Sequence, residues 1–352
     1  MLIQVLLLTL AHAPLEVRVL ERETPSRIHL DAARITCDGK ALPASVDAEA
    51  SVREVKVGDA LCNEIVASDG VTVTVKDVKR SYAGTIRVSL QGGLLRLINV
   101  VDVEGYLPSV ITAEADGMKP AALEAQAIVS RTFAVTAGKR HGSAGYDLCD
   151  LAHCQVYRGR GEASADAEAA VKRTKDQVLL IGGIVLKPAF FHASCGGHTS
   201  SGADVFGEES AGTAVSDVEN GAPRCKGEDF AWRFEVEKSV LAQKFGVAPT
   251  GAALEVLRRD KGGRLLEVRS FGKRFSGQDF MSKFGRAFGW RSLRSMKFKT
   301  TETDTTLVID GTGTGHGVGL CQLGAKSLAE KGVDAKGILL RYFPESQVKP
   351  RP

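Results

Sequence analysis

The chain has 352 residues, enough for one large or two modest domains at roughly 150 residues each, and it is 43% hydrophobic and 25% charged. That balance excludes a disordered chain, and 38 glycines without a period exclude collagen while favouring a turn-rich fold with strands. The net charge of +4 is spread along the chain with no basic block, so no nucleic-acid partner is expected.

Residues 1–10 form an apolar run too short to span a bilayer, followed by the small-x-small step Ala11-His12-Ala13. The pattern reads as a secretory signal peptide lacking its basic start, and predicts export to the periplasm or cell envelope with cleavage near Ala13. No second apolar run follows, so the mature protein reads as soluble or peripheral. Export permits disulfides, and seven cysteines leave at least one thiol unpaired or on a metal.

From 14 to about 90 the residues alternate at period 2, as in 15–20 and 71–76, with Gly39, Gly58 and Gly70 as turns. A hairpin is expected from 84–90 into 94–103 around Gln91-Gly92-Gly93. Pro108 then reads as first-turn proline of a short helix starting at Leu107 and ending at Asp116-Gly117. The longest helical window is 120–137, and a second helix covers 163–172. Strands at 177–181 and 184–190 flank Gly182-Gly183. Residues 203–225 read as an exposed loop. Short strands and helices alternate from 230 to 309, then a glycine-alternating loop leads to a helix at 322–330. The class is α+β: mixed short-stranded sheets, a few helices and a β-rich N-terminal extension.

Four constellations could carry chemistry. Glu114 falls at the C-terminal end of an apolar helix, where the helix dipole disfavours its charge; burial would raise its pKa further, the condition for a general acid near neutral pH, and the alternative is a helix-end carboxylate in solvent. His141, Cys149, His153 and Cys154 are four candidate ligands for a tetrahedral Zn²⁺; a Cys149–Cys154 disulfide or inert thiols are the alternatives. Cys195-Gly196-Gly197-His198 resembles half of a metal site, or a turn beside a half-disulfide with Cys225 as partner. In the last, Gly311, Gly313, Gly315, Gly317 and Gly319 flank His316, so the backbone lies close either to a packed element or to an extended ligand. The dinucleotide fingerprint, the phosphate loop, the His-Glu-x-x-His pattern and the Gly-x-Ser-x-Gly elbow are all missing.

In this order, Tyr106-Leu107 through Glu114, Ala122-Leu123 through Gln126 and Arg131, Cys149 through Cys154-Gln155-Val156-Tyr157, Cys195-Gly196-Gly197, and Gly315-His316-Gly317 through Gln322 resemble the stage II sporulation protein D (SpoIID/LytB) family over about 100–344. The resemblance implies an exported lytic transglycosylase acting on peptidoglycan glycan strands stripped of stem peptides, with a catalytic domain over 91–352. It makes Glu114 the acid and the Cys/His cluster a structural zinc site. Arg131, Gln155, Tyr157, His316 and Gln322 are the polar candidates to position sugar. The sequence departs from the family pattern at Glu114-Ala115-Asp116. Two other readings are a non-catalytic wall-binding or amidase-enhancing module, working beside other cell-wall enzymes, and a metal-dependent hydrolase. A hydrolytic glycosidase normally needs two carboxylates, whereas a lytic transglycosylase can use one.

Overall fold

The computed structural model describes residues 13–136, 138, 140–227 and 230–352. The signal-peptide reading of 1–10, with Ala11 and His12, lies outside the described residues. The chain divides into two compact units, the first Met1–Asp116 with Ala137–Lys172, the second Gly117–Thr136 with Arg173–Pro352.

Alternation builds the first unit. Leu15–Val19 buries every second residue, and Val71–Val75 does the same, as period-2 patterning requires of strands with one face in a core. The strands form a seven-stranded and a six-stranded sheet. A disulfide from Cys37 to Cys62 ties a strand of one to a strand of the other. The hairpin Thr85–Gln91 to Leu94–Val101 forms as the sequence predicts, with Gly92 and Gly93 both at positive φ. Its second strand, Leu94–Val101, also pairs with Leu15–Val19.

Helix α1, Val103–Ala115, follows directly. It starts four residues before Leu107, the start read from the sequence, because Asp102 caps it by accepting from Gly105 N at 2.9 Å. Pro108 therefore lies inside the helix rather than in its first turn. Burial of Tyr106, Leu107, Val110 and Ile111 outweighs the unfavourable helix propensity of Gly105 and Pro108.

The second unit is organised on α2, Pro120–Thr136. From Ala122 to Ala134 only Glu124 keeps substantial exposure, so the helix is surrounded, not amphipathic. Helices Gln322–Glu330 and Ala335–Tyr342 and the strand Gln177–Ile181 pack around it. A separate aromatic core, including Trp232, Phe245, Phe280 and Phe284, fills the region from about 230 to 309. The exposed loop expected at 203–225 is corrected. It contains a helix, Gly202–Phe206, and a small hairpin, and it buries Ala211, Asp217 and Cys225. Among the described residues, no helix is long and apolar enough to cross a membrane.

Candidate active site and metal centre

Glu114 sits one residue from the end of α1, partly buried. Its Oε1 accepts a hydrogen bond from Val156 N at 2.9 Å. Burial raises its pKa above the usual carboxylate range, against the lowering effect of that hydrogen bond and of the Arg158 charge. A carboxyl held in place and biased toward its protonated form is suited to donate a proton near neutral pH.

The loop that presents Val156 is fixed to the sheet. Leu148–Cys149 adds in parallel to Val17–Arg18. Asp147 accepts from Glu16 N at 2.9 Å, and Asp150 accepts from Leu20 N at 2.8 Å and from Arg80 at 3.2 Å. Beyond Cys154 the chain is braced from inside. Tyr106 Oη donates to Gln155 Oε1 at 3.2 Å, Tyr157 Oη donates to Asn99 Oδ1 at 2.8 Å, and the two tyrosine rings lie 4.8 Å apart. Gln155 and Tyr157 are two of the polar residues that the family resemblance offers as sugar contacts. Both are fully buried, and these bonds make them supports for the Val156 backbone. Gly159 completes the turn at φ 81°, where a Cβ would meet Ser81 O at 2.3 Å. A cleft of about 530 Å³ opens beside the loop, lined in part by Leu20, Arg80, Val156 and Arg158.

The four residues singled out as metal ligands converge on the same loop. One ligand atom each from His141, Cys149, His153 and Cys154 lies within 4.8 Å of all the others. His141 Nε2 is 3.3 Å from Cys154 Sγ, and His153 Nδ1 is 3.6 Å from Cys154 Sγ and 3.9 Å from Cys149 Sγ. Zn–S near 2.3 Å and Zn–N near 2.0 Å in a tetrahedron place neighbouring ligand atoms roughly 3.3–3.8 Å apart, so the residues fit a Cys₂His₂ site. Cys149 N also donates to Cys154 Sγ at 3.4 Å. The hydrogen bond shared by the two thiols pulls the Cys149 thiol down and pushes the Cys154 thiol up, so the pair shares one proton. Neither cysteine is in a disulfide.

The remaining candidates belong to the second unit. Arg131 is fully buried and donates to Thr174 Oγ1 at 3.4 Å and to Gln177 O at 3.2 Å, so it holds α2 to the following strand. Gln322 opens its helix and reaches Gln126 Oε1 at 3.5 Å. His316 is half-buried among the rings of Phe190, His192 and Phe206, and its Nδ1 accepts from Val318 N at 3.0 Å. The glycine alternation around it is explained by packing. A Cβ at Gly319 would meet Phe190 O at 2.1 Å, and one at Gly317 the Arg264 guanidinium at 2.1 Å. Of the two readings left open, the close neighbour is a packed element.

Residues 91–180 match the family model described as stage II sporulation protein, SpoIID. The chain is 28% identical to the stage II sporulation protein D of Bacillus amyloliquefaciens over 69% of this chain and 73% of that one. The corresponding figures for the protein of that name from Bacillus subtilis are 25%, 70% and 74%. Residues 91–180 of this chain are thus similar to a SpoIID domain. An uncharacterised protein of Brachyspira hyodysenteriae is also 28% identical, over 74% of this chain and 70% of its own. The SpoIID match contains Glu114, Arg131, Gln155, Tyr157 and all four residues of the Cys/His cluster, whereas His316 and Gln322 lie beyond it.

Sequence reasoning missed three supports of this candidate site: Val156 N, Tyr106 and Asn99. A backbone donor leaves no trace in residue identity. The Tyr106 signal was available, since a tyrosine on the apolar face of α1 needs a partner for its hydroxyl.

Proposed function

We propose that the chain is an exported cell-wall enzyme, a lytic transglycosylase that cleaves peptidoglycan glycan strands with Glu114 as its single acid and base. The observation that carries this reading is the carboxyl itself: raised by burial, held by Val156 N and placed at the negative end of α1. Protonated Glu114 donates to the bridging oxygen as the C1–O bond breaks. The resulting carboxylate accepts the proton of the C6 hydroxyl of N-acetylmuramic acid, whose oxygen closes on C1. The product is a 1,6-anhydro end; the proton returns to Glu114 and no water is consumed. A second carboxylate is needed only if water attacks. His141, Cys149, His153 and Cys154 would hold a structural Zn²⁺, which when bound clamps the loop two residues before the Val156 donor. His316 and Gln322 remain the polar candidates of the second unit for contact with glycan.

Glu114→Gln keeps size and the Val156 bond but removes the transferable proton, so cleavage of purified peptide-free glycan strands should fall by ~10²–10⁴-fold while strand binding persists. Because the wild-type carboxyl is raised, cleavage should decline as pH climbs through its pKa. The folded chain also holds this proton more tightly than the unfolded chain, so wild-type stability falls over the same rise in pH. Glu114→Gln should therefore melt slightly above wild type at neutral pH and with it in acid, which separates lost chemistry from lost folding. Undiminished cleavage by the variant would move the acid to Glu104 or Asp116. Mass spectrometry of the wild-type product decides the route: an anhydro end supports it, a reducing end demands a second carboxylate, and no cleavage leaves the wall-binding module.

A further inference from the structure

Three cysteines far apart in the chain meet inside the second unit, and none is in a disulfide. Cys195, Cys225 and Cys321 are essentially fully buried, together with Asp217. One ligand atom from each of the four lies within 4.8 Å of all the others. We propose that these residues form a second metal centre, a closed three-thiolate, one-carboxylate site for a soft divalent cation, with Zn²⁺ as the occupant that suits it.

The separations suit a tetrahedron. Cys195 Sγ is 3.5 Å from Cys225 Sγ and 3.3 Å from Asp217 Oδ2. Thiolate and carboxylate radii about Zn²⁺, near 2.3 and 2.1 Å, place such neighbours roughly 3.5–3.8 Å apart. The backbone is arranged to receive thiolates. Gly197 N donates to Cys195 Sγ at 3.3 Å, and Cys195 N donates to Cys321 Sγ at 3.3 Å. The first bond depends on the Gly196-Gly197 turn, where both residues have positive φ.

Asp217 supplies an independent observation. It has no solvent exposure; Oδ2 accepts from Tyr342 Oη at 3.0 Å, while Oδ1 is buried with no hydrogen-bond donor, the Arg224 Nε standing 3.6 Å from it. A buried carboxylate beside three buried thiols is costly unless a cation shares the site. Positive charge surrounds the cluster further out. Arg264, itself buried, reaches Cys195 O at 3.5 Å, and Lys297 Nζ donates to Gly196 O at 2.8 Å. Three thiolates, one carboxylate and Zn²⁺ sum to −2, a charge these cations offset. A Cys195–Cys225 disulfide, the competing arrangement, would leave the Cys321 thiol and Asp217 Oδ1 buried outside the link. His198, the partner that the Cys-x2-His spacing offers, turns instead to the backbone of the next residue, with Nδ1 2.7 Å from Thr199 O.

The test uses the full-length chain and Zn²⁺ or Co²⁺ alone. Native mass spectrometry of the wild type should show two zinc ions, and the double variant Cys149→Ser, Cys154→Ser should retain one. Cobalt in that variant should give a thiolate charge-transfer band and tetrahedral d–d bands. Those bands should be lost in a further Cys321→Ser substitution. Should that last variant fail to fold, thiol counting on wild type decides. Alkylation after denaturation with chelator and without reductant should label five cysteines, all but Cys37 and Cys62. Only three labelled cysteines, with Cys195 and Cys225 recovered as a linked peptide, would overturn the proposal. So would a first-centre variant that binds no metal.

Discussion

The two cysteine-containing clusters differ in how the chain makes them. His141, Cys149, His153 and Cys154 come from one loop, tied to the first strand and open enough that His153 is exposed. Cys195 and Cys321 are 126 residues apart, and their cluster lies within the packed core under Ala325 and Tyr342. A loop cluster needs little chain closure before a metal can join its ligands, so it is visible in spacing and can govern a neighbouring function. A dispersed cluster assembles only after the surrounding core has formed, and an ion there would tie together strands and helices that are already neighbours. A metal in the first cluster would thus steady Val156 and, through it, Glu114. A metal in the second would bear on the stability of its own unit.

The covalent link of the first unit gives the largest stability effect and a yardstick for both clusters. Cys37 and Cys62 are 25 residues apart, and removing both should cost roughly 3 kcal/mol in denaturant unfolding. Cys154→Ser should lower glycan cleavage by roughly 10–100-fold, the usual cost of disturbing a supporting metal shell, and zinc content should fall by one ion. A wild-type rate in that variant would break the functional half of the contrast. Chelator should remove the ion of the exposed loop centre first and the core ion only with unfolding; time-resolved native mass spectrometry distinguishes this order from simultaneous loss. The smallest effect belongs to Tyr157→Phe. It removes one buried hydrogen bond to Asn99 and should cost about 1 kcal/mol in stability.

Local pattern carried much of the architecture. The alternation in 15–20 and 71–76, the diglycine hairpin, α2 and the helix at 322–330 all form at or near their expected bounds, because period and turn chemistry are properties of consecutive residues. The start of α1 was missed since the Asp102 cap lies at the end of a strand, and core burial overrides the poor propensity of Gly105 and Pro108. The loop at 203–225 was misread because its polar and glycine-rich composition hides Asp217 and Cys225, which turn inward.

Legible in the residue order alone are the α+β class, the family resemblance, the place of Glu114 at a helix end and the loop cluster of histidine and cysteine. Each rests on residues close enough in the chain for spacing to fix their relative placement. Only the tertiary structure decided that Val156 N holds Glu114, that Gln155, Tyr157 and Arg131 face inward, and that the glycine loop lies against Phe190 and Arg264. It alone brought Cys195, Asp217, Cys225 and Cys321 together. Those relations depend on which side of a strand or helix faces a distant segment, and that is settled by packing of the whole core, where no local period reaches.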